Sequence, residues 1–393
     1  MRLHRRSRGI PKTRHVRTIG VEEELLLVDG RTGEPTAIAE RLLRIRRHDT
    51  PADEEKGERP GGRTDGGTIE GELQQQQIEI GTAPCTALAD LGQQIRTWRQ
   101  RADDLARRAG ARAVALATSP LPISPDLMPG NRYSALAERF GLTAAEQLSC
   151  GCHVHVGVDS PAEGVAVLDR IRLWLPVLVA LSANSPFWQG RDSGYASYRS
   201  QVWRRFPTAG PTEQFGGVAE YRGRVAALLA TGVPLDEAMI YFDARLSHRY
   251  PTVEVRVADV CLSATDAVLL AGLVRALVET AADAWAAGDS ARWLPAELIR
   301  MASWRASRSG LEDELLDPYS ARRRPAADVI AALVDHIRPA AQDLGDEDAL
   351  LAGLDRVQRR GTGAVWQRRT YANSGSLPDM ILQAADRTIE TEI

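Results

Sequence analysis

The chain has 393 residues, 44% of them hydrophobic, and a formal net charge of −3. That length and apolar content can bury a large core, and the near-balanced charge argues against general nucleic-acid binding. Lysine occurs only at Lys12 and Lys56 among 49 basic residues, which argues against a P-loop or Schiff-base lysine and leaves anion handling to arginine, backbone amides or metal.

Residues 1–17 are rich in arginine but lack the apolar stretch of a secretory signal. They are expected to form a disordered basic tail ahead of a single catalytic domain over residues 18–393, in a cytoplasmic protein. Gly20-Val21-Glu22-Glu23-Glu24-Leu25 follows as a strand, and because strand side chains alternate faces, Glu22 and Glu24 share one. The apolar run Leu25-Leu26-Leu27-Val28 marks this strand as buried. Residues 46–67 are charged and rich in glycine and proline, the pattern of a mobile surface loop. Further on, Glu79 sits between Ile78 and Ile80, while Gln74 to Gln77 read as loop polarity. Leu88, Leu91, Ile95, Trp98 and Leu105 recur at helical spacing and predict a helix over 88–109, followed by a strand over 113–117.

Cys152-His153-Val154-His155-Val156-Gly157 is a second alternating strand, with both imidazoles on one face and both valines in packing. Ser160-Pro161-Ala162-Glu163 combines a capping serine, a proline at the first helical position and a glutamate three residues after the cap. It predicts a helix reaching about Ser182. A long loop with aromatics and arginines follows, in which Arg199 is a candidate anion clamp, since a guanidinium binds carboxylate or phosphate through two nitrogens. Thr252-Val253-Glu254-Val255-Arg256-Val257 is a third alternating strand, with Glu254 and Arg256 on one face. Ser263 to Asp266 carries another capping signal, for a helix reaching Trp285, and the chain beyond Leu294 alternates helical patterns with breaks. No apolar run reaches the roughly 18 residues of a membrane span. Cys85, Cys150, Cys152 and Cys261 are too few for a disulfide scaffold. Cys152 also faces away from His153 and His155, which disfavours a structural zinc centre there.

Charged stripes on strands that should be core are costly unless paired or bound to metal. The set Glu22, Glu24, Glu72, Glu79 and Glu254, with His153 and His155 nearby, suits magnesium or manganese. From the residues alone, a solvated acidic turn at 22–24, hydrogen-bonded rim histidines and a plain Glu254–Arg256 pair all stay open. If the stripe is one of like charges, removing Glu22 or Glu254 is not expected to lower stability sharply. The expected architecture is α+β with a largely antiparallel sheet, because no Gly-rich strand-to-helix turn supports a doubly wound one.

Gly20–Glu24, Glu72…Gln77-Ile78-Glu79, His153–Gly157, Ser185–Asp192 with Tyr195–Arg199, and Thr252–Arg256 occur in this order in the bacterial carboxylate–amine ligases, often called glutamate–cysteine ligase type 2. The chain resembles that family from about Thr18 to its end, and Arg360-Gly361-Thr362-Gly363-Ala364 looks like the family's late glycine motif. The resemblance implies a glutamine synthetase-like catalytic domain: a curved, mainly antiparallel sheet flanked by helices, binding magnesium-ATP. It implies phosphorylation of the glutamate side chain to γ-glutamyl phosphate, attack by an amine, and release of ADP and phosphate, with weak glutamate–cysteine ligase activity yielding γ-glutamylcysteine. By resemblance Glu22, Glu24, Glu72, Glu79, His153 and Glu254 hold Mg2+ or Mn2+, and Arg256 stabilises phosphoryl charge. Arg199, also a catalytic candidate, and His155 contact substrate. The alternatives are the same chemistry with another acceptor amine, or a zinc-dependent hydrolase using His153 and His155. Expected partners are ATP, glutamate, and cysteine or another amine, with no nucleic acid or membrane; a homo-oligomer is left open.

Overall fold

Residues of period two build the centre of the molecule. In the computed structural model, which describes residues 16–49 and 67–390, the three alternating segments become neighbouring strands of one antiparallel sheet. The strands are β1 (Ile19–Asp29), β2 (Thr68–Gly71), β3 (Gln77–Gly81), β4 (Ala111–Val114) and β5 (Gly151–Gly157). A short hairpin follows, β6 (Phe187–Trp188) with β7 (Arg191–Asp192), then β8 (Ala244–Leu246) and β9 (Thr252–Asp259). A second hairpin, β10 (Glu314–Leu316) with β11 (Arg323–Pro325), lies apart. The sheet order is β2-β3-β1-β5-β9-β8, with β4 pairing β1 off that path. The expected α+β architecture with a mainly antiparallel sheet is the one found.

The helices are α1 (Ala39–Asp49), α2 (Leu88–Arg107), α3 (Asn131–Phe140), α4 (Leu142–Ala145), α5 (Pro161–Ile171) and α6 (Leu175–Ser182). After them come α7 (Arg199–Trp203), α8 (Val218–Ala230), α9 (Ala264–Ala286), α10 (Ala296–Ser309), α11 (Ala326–Leu344), α12 (Glu347–Arg360), α13 (Gly363–Ser374) and α14 (Leu377–Ile389). Val21, Val154, Val156, Val253 and Val255 turn toward α5, α6 and α9 and share a core with Leu168, Leu178 and Leu273. A second core joins Leu25 to Val28, Ile78 and Ile80 to Trp98 and Ala102 of α2 and Met380 and Ile381 of α14. Burying that face commits the alternate residues to the other side. There the register sets Glu22 opposite His153, Glu24 opposite Glu79, and His155 opposite Glu254. Among the described residues no helix is long and apolar enough to cross a membrane.

Several expectations need correction. The helix expected from Ser160 to Ser182 breaks at Arg172–Trp174. Pro176 has no N–H to offer the Arg172 carbonyl, so α6 starts afresh with that proline in its first turn. The strand expected over 113–117 shifts to Ala111–Val114, because beyond Val114 the backbone turns to the Thr388 and Asn184 side chains. Arg17, expected in the basic tail, belongs to the fold. It donates to Glu163 and Glu279, each at 2.5 Å, and to the Gly157 carbonyl. Residues 1–15 lie outside the described residues. Residues 50–66 of the expected loop do too, but 46–49 are the last turn of α1. The glutamines are not loop polarity: Gln74 is fully buried and donates to the Ala144 carbonyl, and Gln76 to Asp126.

Between Cys152 and Val154 the β5–β9 register slips, Cys152 pairing Ala258 and Val154 pairing Val255, so β9 carries one extra residue. Such a bulge reverses the alternation. Val257 and Ala258 both enter the core, and Asp259 emerges on the face of Glu254 and Arg256.

Candidate active site

The polar face gathers the predicted carboxylates and imidazoles. The nearest Glu22 oxygen lies 3.3 Å from His155 Nε2 and 3.7 Å from His153 Nδ1. Glu24 accepts the Gly151 amide at 2.5 Å, which ties β1 to the start of β5. Among the described residues, three overlapping triads have ligand atoms within 4.8 Å of one another: Glu22–His155–Glu254, Glu22–Glu79–His153 and Glu24–Glu72–Glu79. All six residues placed on metal by resemblance fall in these triads. His155, assigned to substrate, falls in one as well. No triad contains both imidazoles, and each is dominated by carboxylate oxygens, the donor set of a hard divalent cation rather than of zinc.

Electrostatics support the same use. Burial, then the charge of Glu24, pushes Glu72 up to about 7. Burial, then Glu22, Glu72 and Glu24, holds Glu79 well above the ordinary range. Burial opposes the ionisation of Glu22 too, but the adjoining His153 and His155 outweigh it and pull its pKa down. Neither imidazole completes a hydrogen bond at Nε2 although both atoms are buried. A divalent cation would relieve this repulsion and accept these lone pairs, so the residues fit one. Because Glu72 and Glu79 have raised pKa values, they hold protons below those values and a cation must displace them. Magnesium binding is therefore expected to release protons and to weaken from about pH 8 to about pH 6. Calorimetric titration in buffers of different ionisation enthalpy measures this, and an affinity independent of pH would contradict it.

Arginines form the other half of the site. Glu254, 2% exposed, accepts two nitrogens of Arg245 at 2.7 and 3.2 Å and also accepts from Arg256. Burial would raise the Glu254 pKa, but Arg256 and Arg245 overwhelm it and hold the carboxylate ionised. The expectation that removing Glu254 costs little stability is thereby overturned, because its loss would strand two buried cations. Arg199 is buried and reaches across Gly151, where an added Cβ would lie 2.2 Å from its Nη2. Arg199 and Arg256 each stand 5.7 Å from the Trp203 ring centroid, and the Nε of each is buried without a partner. Two cations thus share one indole with donors to spare.

Their backing is a buried polar knot. Asp259 accepts from Ser185 Oγ at 2.7 Å, Ser197 Oγ at 2.8 Å and the Asn184 amide at 2.8 Å, and Ser185 Oγ in turn accepts the Arg199 amide. The late glycine segment closes it: a Cβ at Gly363 would meet Asn184 Oδ1 at 2.1 Å, and Gln367 donates to Asn184. Sequence reasoning missed Arg245, Trp203 and Asp259. Trp203 was open to discovery, being four residues from Arg199 on one helix. Glu23 faces away from the site and pairs with fully buried Arg99 at 2.8 and 2.6 Å.

The same fold occurs in a glutamate–cysteine ligase of Francisella tularensis solved with AMP, with a TM-score of 0.67 at 13% identity over 95% of this chain and 88% of that one. A bifunctional glutathione synthetase of Pasteurella multocida gives 0.66 at 16% identity over 95% of this chain and 52% of that one. These likenesses show the fold; the family to which the chain belongs makes it an ATP-dependent ligase. Residues 18–383 match the model of glutamate–cysteine ligase family 2, and the chain belongs to that family. A Streptomyces avermitilis protein named "Putative glutamate–cysteine ligase 2-1" is 50% identical over 95% of this chain and 99% of its own length. A Streptomyces coelicolor relative of like name is also 50% identical, again over 95% of this chain and 99% of its own length.

Proposed function

We propose that the protein uses ATP to join the side-chain carboxylate of glutamate to an amine, with cysteine as the family's namesake acceptor and γ-glutamyl phosphate as the intermediate. The observation that carries this reading is the Arg199–Trp203–Arg256 arrangement beside the carboxylate triads. Fixed guanidiniums with unused donors in a water-poor site suit a multiply charged anion more than a neutral group. A carboxylate oxygen of glutamate bonds the γ-phosphorus as the bond to ADP breaks. The amine nitrogen then bonds the acyl carbon, and phosphate leaves with that oxygen while the amine gives up a proton.

Glu22, Glu24, Glu72, Glu79, Glu254, His153 and His155 would hold Mg2+ or Mn2+, which supplies neutralisation of the phosphoryl charge when bound. Glu254 aligns Arg256 toward the developing charge, and Arg199, near the same Trp203 ring, clamps the anion. His155 is oriented by Thr252 Oγ1 at 3.1 Å. The test is ADP release with glutamate and magnesium, screened across amines that include cysteine. Sustained ADP release that needs both glutamate and an amine is expected. Tightly bound zinc with hydrolysis that needs no ATP would replace the reading with a metal-dependent hydrolase.

A further inference from the structure

Of ten large apolar side chains exposed among the described residues, four come from positions 293–304: Trp293, Leu298, Met301 and Trp304, at 64, 39, 50 and 42% exposure. The last three lie on α10, whose opposite face packs inward through Ile299, Ser303 and Ala306. Exposed tryptophan and methionine clustered on one helix are the composition of an association surface.

The order of side chains along α10 says what covers it. At 100° per residue, Glu297, Met301, Trp304 and Arg308 fall in one row within about 60° of arc, and all four are exposed. The row reads acid, apolar, apolar, base, which is complementary to its own reverse. A second copy docked antiparallel, about a two-fold axis between Ala302 and Ser303, sets each Glu297 against Arg308 of the other copy. It also sets each Met301 against Trp304. A parallel copy would oppose like charges. The shallow crossing angle of antiparallel helix pairs keeps all four positions in reach. Two side chains of the row are already fixed: Trp304 Nε1 donates to the Tyr195 hydroxyl at 3.3 Å, and Arg308 donates to the Gly194 carbonyl and lies over the Tyr195 ring. Such pre-ordering lowers the entropy lost on association.

We propose that the exposed face of α10 is an isologous interface that pairs two copies of this chain antiparallel. The inference does not depend on the catalytic reading. Sedimentation of the full chain from about 1 to about 100 μM should show a reversible dimer in the concentration range typical of small interfaces. Met301→Asp, at a side chain with ample exposure, should weaken it by about 30-fold or more, as for a central apolar contact. Glu297→Arg and Arg308→Glu should each weaken it about 5- to 20-fold, since symmetry counts every swap twice. The doubly swapped variant should recover to within about threefold of the natural affinity, because the charge pairs re-form in reverse. Leu142→Asp, on exposed apolar surface elsewhere, should leave association unchanged. A chain that stays monomeric, which would give this face to another partner, overturns the proposal. So does a dimer indifferent to Met301→Asp, or a double swap as weak as the singles.

Discussion

Arg256→Lys is expected to lower turnover by well over tenfold at saturating magnesium, ATP and glutamate, with the fold retained. Arg256 donates to Glu254 through one terminal nitrogen and keeps its Nε unpartnered beside Trp203. A guanidinium can therefore hold its alignment and still present donors to the phosphoryl group. An ammonium is one compact charge that serves Glu254 or the anion in turn. Losing a charge-assisted contact that strengthens in the transition state costs about 2–4 kcal/mol. The effect should fall on kcat rather than on KM, and the lysine preserves the counter-charge to Glu254. A variant with unchanged kcat would remove Arg256 from the chemistry.

The second large effect is on stability, and it takes opposite signs at two carboxylates of one stripe. Glu254→Ala leaves Arg245 and Arg256 buried together without their shared counter-ion, at a cost of about 3–5 kcal/mol. Glu79→Gln removes one of several like charges and should raise the melting point of the chelator-treated protein. The sign follows from linkage. The folded pKa of Glu79 lies above its unfolded value, so the native carboxylate costs stability as pH rises toward that folded value. The advantage of the glutamine should therefore widen as pH rises from the ordinary carboxylate range into the alkaline range. Thermal melts across that range check both variants, and a Glu79→Gln protein less stable than the natural one at the alkaline end would contradict the repulsion.

The site stripe was legible because it breaks a rule: carboxylates and imidazoles at every second position of strands that are otherwise valine, isoleucine and leucine. Burying the valines forces those charges to one face, and the register then brings them together. What stayed hidden has identifiable causes. Strict alternation from Glu254 and Arg256 puts Asp259 in the core, and only the extra residue in β9 turns it out. Arg245 sits on a three-residue strand, too short to show a period. Arg99 lies on the buried face of α2 beside Ile95, Trp98 and Ala102, and its partnership with Glu23 spans 76 residues of sequence. The break between α5 and α6 was written in Pro176, but the strong serine–proline start of α5 masked it.

The central claim is that glutamate is activated by phosphoryl transfer before the amine attacks. The most direct measurement uses glutamate labelled with oxygen-18 in its side-chain carboxylate, turned over with ATP and an accepted amine. One labelled oxygen should leave with each inorganic phosphate, because the oxygen that attacks the γ-phosphorus departs with it when the C–N bond forms. Unlabelled phosphate, with the γ-glutamyl product still made, would contradict the account.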